Sequence, residues 1–136
     1  EFYALLSQHS ILARTLDAAA PLDEAAFLQG VTQSENGHGL LHNAFGARTL
    51  ALFERMPKEE LSSYLSGLLI GEELRTQSLH AVGEVVLIGS PVLTERYTLA
   101  LRAAGVATRT LGAEATWAGL HALSGFLAAD SNRIQP

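Results

Sequence analysis

The chain has 136 residues, 14 acidic and 9 basic, and its net charge of −5 includes a single lysine, Lys58. That length suffices for a buried core in one domain or part of one, and the lack of a Lys/Arg cluster argues against nucleic acid, whose binders carry a basic stripe. No apolar run approaches the ~18 residues of a membrane span, and the absence of cysteine excludes disulfides, zinc–thiolate sites and a cysteine nucleophile, which suits a cytoplasmic protein.

The chain opens without Met inside an apparent helix, EFYALLSQHSILARTL, with Phe2, Leu5, Leu6, His9 and Leu12 on one side. It has neither the charged n-region nor the cleavage site of a targeting peptide. A second helix is predicted from Leu22 to about Thr32, after Pro21, with Asp23 and Glu24 in the first turn where the helix dipole favours acids. The polar stretch QSENGHG, 33–39, reads as a mobile surface loop, and 131–136 as a polar tail. Between Gly39 and Met56, apolar residues at 41, 44, 45, 52, 53 and 56 form a broad helical face. Pro57 followed by Lys58, Glu59 and Glu60 is a strong helix opening. Leu61, Tyr64, Leu65, Leu68 and Leu69 then fall at the spacing of a buried stripe. Gly67 and Gly71 on that helix cost about 1 kcal/mol each relative to Ala. Close packing of another backbone is the favoured compensation, and approach of a ligand the alternative.

The last third changes period. Val85 to Ile88 is a continuous apolar run, the pattern of a strand buried on both faces. Gly89, Ser90 and Pro91 break it, and a helix follows over Thr94–Ala104 with Tyr97, Leu101 and Ala104 at helical spacing. Gly105 closes that helix, Val106 to Leu111 forms a second strand, and a last helix runs from about Ala113 to Leu127. Strand, crossover helix and strand make a right-handed parallel βαβ unit. Two strands leave open edges, so the chain reads as the C-terminal portion of a longer protein.

Catalytic constellations are sparse. His38 and His42 stand four apart but lack a third ligand and the glutamate of a metalloprotease helix. His9, His80 and His121 are scattered, and the acidic pairs Glu59-Glu60 and Glu72-Glu73 diverge around a helix. There is no G-x-S-x-G elbow, Walker A loop or G-x-G-x-x-G, so no catalytic residue and no metal ligand is assigned. What remains is the turn after Ile88. A glycine turn at the carboxyl end of a parallel strand admits a ligand to the backbone, beside the positive end of the next helix. Gly89 and Ser90 are small, Ser90 and Thr94 supply hydroxyls, and Pro91 stiffens the loop.

Three stretches carry a resemblance. EFYALLSQHSIL at 1–12, LSGLLIGEELR at 65–75 and LIGSPVLTERYTLALRAAG at 87–105 resemble, in that order, motifs of the 2-dehydro-3-deoxygalactonokinase family. Phe45-Gly46-Ala47-Arg48 is similar to a further F-x-x-R of the family. The family belongs to the superfamily of actin, hexokinase and heat-shock-chaperone ATPases. The resemblance implies an α/β fold, the C-terminal half of an actin-like (ribonuclease H-like) ATPase domain, with an incomplete sheet. In those terms 1–136 is the C-terminal part of the second, nucleotide-binding domain, with a helical region over 1–80 and a βαβα adenosine-binding unit over 84–129. It further implies ATP-dependent phosphorylation of the 6-hydroxyl of 2-dehydro-3-deoxy-D-galactonate with Mg²⁺. The phosphate loops, magnesium ligands and catalytic acid would lie in the missing N-terminal part, the chief partner of this chain.

By the same resemblance Gly89, Ser90, Pro91 and Thr94 would bind adenosine, and Glu114 and Gly119 match a final-helix motif, Gly119 for tight packing on the sheet. Gly-Ser stands where many sugar kinases have Gly-Gly, which weakens the analogy at Ser90. Arg48 would hold the sugar-acid carboxylate, a guanidinium being suited to bidentate pairing; an ion pair on the surface or between helices is the competing role. Partners are then a small sugar acid and ATP, with homo-oligomer contacts open. Rival readings are another sugar kinase, a non-catalytic regulator on the same fold, or a helical interaction module.

Overall fold

The computed structural model describes residues 1–131. Six helices and two strands follow in chain order: α1 Phe2–His9, α2 Glu24–Ser34, α3 Leu40–Leu52, α4 Lys58–Arg75, β1 Glu84–Ile88, α5 Pro91–Ala103, β2 Ala107–Leu111 and α6 Ala113–Ser131. Short 3-10 turns occupy Ile11–Arg14 and Leu79–Ala81. Of the tail expected over 131–136, Ser131 belongs to α6 and 132–136 lie outside the described residues.

The opening helix is shorter than its sequence suggests. Ser10 is extended (φ −111°, ψ 174°), and its hydroxyl donates to the Leu6 carbonyl at 2.6 Å while accepting the Leu12 N–H at 3.1 Å. The break turns Leu12 inward beside Ala44, Leu65 and Leu68, joined by Tyr3 and Leu6. Phe2 and Leu5, read on the same side of the helix as Leu12, stay exposed.

Helix α4 is the axis of the helical part. Leu61 to Leu68, Ile70 and Gly71 are all buried, so it is enclosed on every side rather than along one stripe. Its serines satisfy themselves against three other segments. Ser62 donates to the Asp17 carbonyl (2.6 Å), Ser63 accepts from the Asp23 N–H (2.9 Å), and Ser66 accepts from Arg96 Nη1 (2.8 Å). Against α4 lies α2, capped by the Asp23 carboxylate on the Ala26 N–H at 2.8 Å. Here the glycines act as packing residues. A Cβ on Gly30 would sit 2.8 Å from the Leu68 nitrogen and nearer still to the Tyr64 carbonyl oxygen. One on Gly67 would drive into the Phe27 carbonyl, and one on Gly71 would stand 2.9 Å from Val31 Cα. Two rows of small residues at i, i+4 thus let the backbones touch, which offsets the poor helix propensity of glycine.

Helix α3 departs furthest from expectation. Its buried residues are Asn43, Ala44 and Ala47, whereas Leu41, Phe45, Leu52 and Phe53 are exposed. Ala44 and Ala47 sit where α3 meets α4, with Leu50 partly buried beside them, and the larger side chains at 41, 45, 52 and 53 turn outward. The stretch before α3 is anchored rather than loose. Asn36 and buried Asn43 exchange amide hydrogen bonds at 2.9 and 3.0 Å, and Ser34 is buried.

Strands β1 and β2 pair in parallel, Glu84 with Ala107 through Ile88 with Leu111, as a two-stranded sheet. Helix α5 starts at Pro91, earlier than Thr94, because proline suits the first helical position. The expectation that β1 is buried on both faces fails in this chain. Val85 and Leu87 are half-buried, facing Tyr97 and Leu101, while Val86 and Ile88 are exposed. Two strands offer too little area to be covered on both sides. The close packing expected at Gly119 is likewise absent, since a Cβ there meets nothing within 4 Å.

Candidate functional site

The register that pairs Ile88 with Leu111 sets two turns side by side, Ile88-Gly89-Ser90-Pro91 and Leu111-Gly112-Ala113. Together they form a cleft of about 670 Å³ at the carboxyl ends of both strands. This is where open parallel sheets receive ligands. Gly89, Ser90, Pro91 and Thr94 all line it, joined by Thr110, Gly112 and Thr116 from the far side. The second turn carries only the weaker part of that signal in the sequence, glycine followed by a small residue, because the strand before it, ATRTL, is largely polar.

No residue lining the cleft is charged, and four carry hydroxyls, Ser90, Thr94, Thr110 and Thr116. At Gly89 an added Cβ would lie 3.6 Å from Thr94 Cγ2, an ordinary contact, so nothing in the protein forbids a side chain there. The glycine keeps the floor of the cleft open. The Thr94 hydroxyl lies 3.2 and 3.1 Å from the Ser90 and Pro91 carbonyls, so its proton is spent on the first turn and it faces a ligand as an acceptor. Ser90 makes no side-chain cap.

The electrostatics favour a neutral group over a phosphate. Pro91 lacks an N–H and the Leu93 N–H is taken by the Ser90 carbonyl at 3.0 Å, so the start of α5 offers few of the free donors that attract anions. On the other side the Glu114 carboxylate accepts the Gly112 N–H at 2.8 Å, placing negative charge where α6 begins. A ribose or purine edge suits this lining better than a phosphoryl group. Mg²⁺ finds no holder: among the described residues no three His, Asp or Glu side chains cluster. The His38 and His42 rings lie with centroids 4.9 Å apart and planes tilted by 44°, and they have no third ligand among those residues.

Arg48 is not brought to this cleft. It stands half-buried on α3, which packs on α4 and α2, and it has no hydrogen-bond or ion-pair partner among the described residues. The ion pair considered for it is therefore not made here.

In class, then, this is a helical assembly on a parallel βαβα unit with a ligand-sized crevice at the strand ends. The chain belongs to the 2-keto-3-deoxy-galactonokinase family, whose profile matches residues 1–123. It is 29% identical over 127 residues to the 2-dehydro-3-deoxygalactonokinase of Escherichia coli K12, covering 91% of this chain and 43% of that protein. Its fold is similar to a crystal structure from Sinorhizobium meliloti assigned as a 2-dehydro-3-deoxygalactonokinase protein, with TM-score 0.76 and 29% identity, covering 89% of this chain and 42% of that one. The chain thus spans about two fifths of the relatives it matches.

Proposed function

We propose that the chain is the nucleotide-binding part of a sugar-acid kinase that moves the γ-phosphoryl group of ATP to the 6-hydroxyl of 2-dehydro-3-deoxy-D-galactonate. In fold terms it is the C-terminal part of the second domain of an actin-like ATPase. The observation that carries this reading is the uncharged, hydroxyl-lined cleft between Gly89 and Gly112, in a chain of this family. Gly89 leaves room for the nucleoside, Pro91 stiffens the turn, and Ser90 and Thr94 offer hydrogen bonds to ribose or base, with Thr110 and Thr116 opposite. ATP supplies the phosphoryl group. This chain binds and orients its neutral half, while Mg²⁺ and the catalytic base are held outside the described residues. Such transfer depends chiefly on positioning and charge neutralisation.

Arg48 is proposed to receive the sugar-acid carboxylate. Arg48→Ala then raises the KM for the sugar acid about tenfold or more, the scale of a lost charge-assisted hydrogen bond, and leaves the KM for ATP unchanged.

The test is ADP release by the whole protein with 2-dehydro-3-deoxy-galactonate, its gluconate epimer and plain hexoses. Preference for the galactonate compound supports the reading, and activity confined to another sugar replaces the substrate. A folded, ATP-binding protein silent on all of them is a regulator on this fold.

A further inference from the structure

Two of the stretches that carried the family resemblance, 65–75 and 87–105, meet each other in space. Arg96 Nη1 donates to Ser66 Oγ at 2.8 Å, and the Tyr97 hydroxyl donates to the Glu73 carboxylate. The Arg96 guanidinium also lies 6.0 Å from the ring centroid of Tyr3, whose own hydroxyl reaches the Ser62 carbonyl at 3.4 Å. One turn of α5 is therefore tied to α4 directly and to α1 through the Tyr3 ring. That turn comes immediately after Thr94.

What else holds this end of α5 is weak in direction. Further along, Ala100 and Leu101 are buried, and Ala100 packs with Phe27 and Ile70. A methyl group in an apolar cluster resists separation but not rotation or sliding, because burial is non-directional. Behind the site turn is a groove of about 270 Å³ bounded by Val86, Ile88, Gly89, Leu93, Thr94 and Tyr97. The turn is not backed by solid packing, so α5 has space to tilt. Hydrogen bonds lose strength steeply when bent, and those to a charged group are among the stronger ones. The Ser66–Arg96 and Glu73–Tyr97 pairs thus set the rotation of α5 about its axis, and with it the position of Ser90, Pro91 and Thr94.

We propose that Arg96 and Tyr97 are positioning residues for the nucleoside cleft, aligning the first turn of α5 by their bonds to Ser66 and Glu73 on α4. The inference rests on the reading of that cleft as the nucleotide site. Neither side chain needs to touch the ligand. Their loss should impair nucleotide affinity and leave the sugar-acid step alone.

The experiment measures ADP affinity by calorimetric titration of the whole protein, together with the KM for sugar acid and the melting temperature. Tyr97→Phe keeps the ring and drops the hydroxyl, and Arg96→Met keeps the stem and drops the donors. Each is expected to weaken ADP binding about three- to tenfold, the equivalent of one or two hydrogen bonds, with the sugar-acid KM unchanged. Glu73→Gln keeps a carbonyl acceptor for the phenol and Arg96→Lys keeps a donor for Ser66, so both should recover most of the affinity. Ser66→Ala combined with Arg96→Met should be no worse than Arg96→Met alone, as expected for partners in one interaction. Unchanged ADP affinity in Tyr97→Phe and Arg96→Met overturns the proposal. So does a loss of ADP affinity matched by a rise in the sugar-acid KM and a lower melting temperature, the mark of a general fold defect. Failure of the unmodified protein to bind ADP instead removes the nucleotide reading itself, and this inference with it.

Discussion

Glu54 and Gly105 occupy the same backbone position, just past the ends of α3 and α5, and both adopt the left-handed conformation (φ 51° and 72°). At each end a pair of backward hydrogen bonds closes the helix, Glu54 to Ala51 and Arg55 to Leu50 in one, Gly105 to Arg102 and Val106 to Leu101 in the other. Glycine takes that conformation freely, whereas a residue with a Cβ is disfavoured there by ~1–2 kcal/mol. Glu54→Gly is therefore expected to stabilise the protein by roughly 0.5–1 kcal/mol, after the larger unfolded-state entropy of glycine is deducted. A higher urea midpoint at unchanged slope would show it. Tyr97 makes a second residue-scale prediction. Burial, and then its bond to Glu73, pushes its phenol up to about 12 from 10.0. The folded protein keeps this proton where the unfolded chain has released it, so the contribution is complete below pH 10 and is lost as pH rises towards 12. Stability of the unmodified protein relative to Tyr97→Phe should fall across that window and be flat below it. Tyr64, also raised by burial, is common to both proteins and cancels. Some of this detail is legible in the sequence: Gly105 announces a helix end because glycine is the usual occupant. Glu54 does not, because nothing in its chemistry asks for a left-handed backbone.

Among elements, the α2–α4 contact shows how one residue type takes opposite signs in different places. Gly46, inside α3, has nothing within 4 Å of a built Cβ, whereas Gly67 has the Phe27 carbonyl. Gly46→Ala is expected to stabilise by roughly 0.5–1 kcal/mol through helix propensity. Gly67→Ala should destabilise by about 2–3 kcal/mol, as overpacking pushes the helices apart and outweighs that gain. Thermal unfolding of the two variants measures both, and a stabilised Gly67→Ala would remove the close-packing account. Apart from the opening helix, which Ser10 ends early, helix positions were legible to within a few residues, because proline, first-turn acids and the apolar period act locally. Which face turned inward was less so. On α3 the large apolar residues mark the exposed side, and on α4 the buried set includes Ser62, Ser63 and Ser66. Each of those serines bonds to a residue at least 30 positions away, which periodicity cannot register.

At the scale of the molecule, the described chain holds the uncharged cleft proposed above for a nucleotide, and much exposed apolar surface, including Val86, Ile88, Trp117, Leu120 and Leu123. The cleft lining carries no charge to neutralise a phosphoryl group in transfer. Expressed by itself, the 136-residue chain is therefore expected to release no ADP from ATP with any sugar acid, and measurable turnover would contradict the division of labour proposed above. By itself the sequence determined the order of elements, the glycine turn after β1 and the motifs that point to the family, since each is a matter of neighbouring residues and their conformational preferences. Tertiary structure alone decided that Gly112, Thr110 and Thr116 complete the cleft opposite Gly89, that Arg96 and Tyr97 tie α5 to α4, and that Arg48 stands elsewhere. The strand register and the glycine contact between α2 and α4 bring together residues far apart in the chain. Only a packed backbone sets those distances.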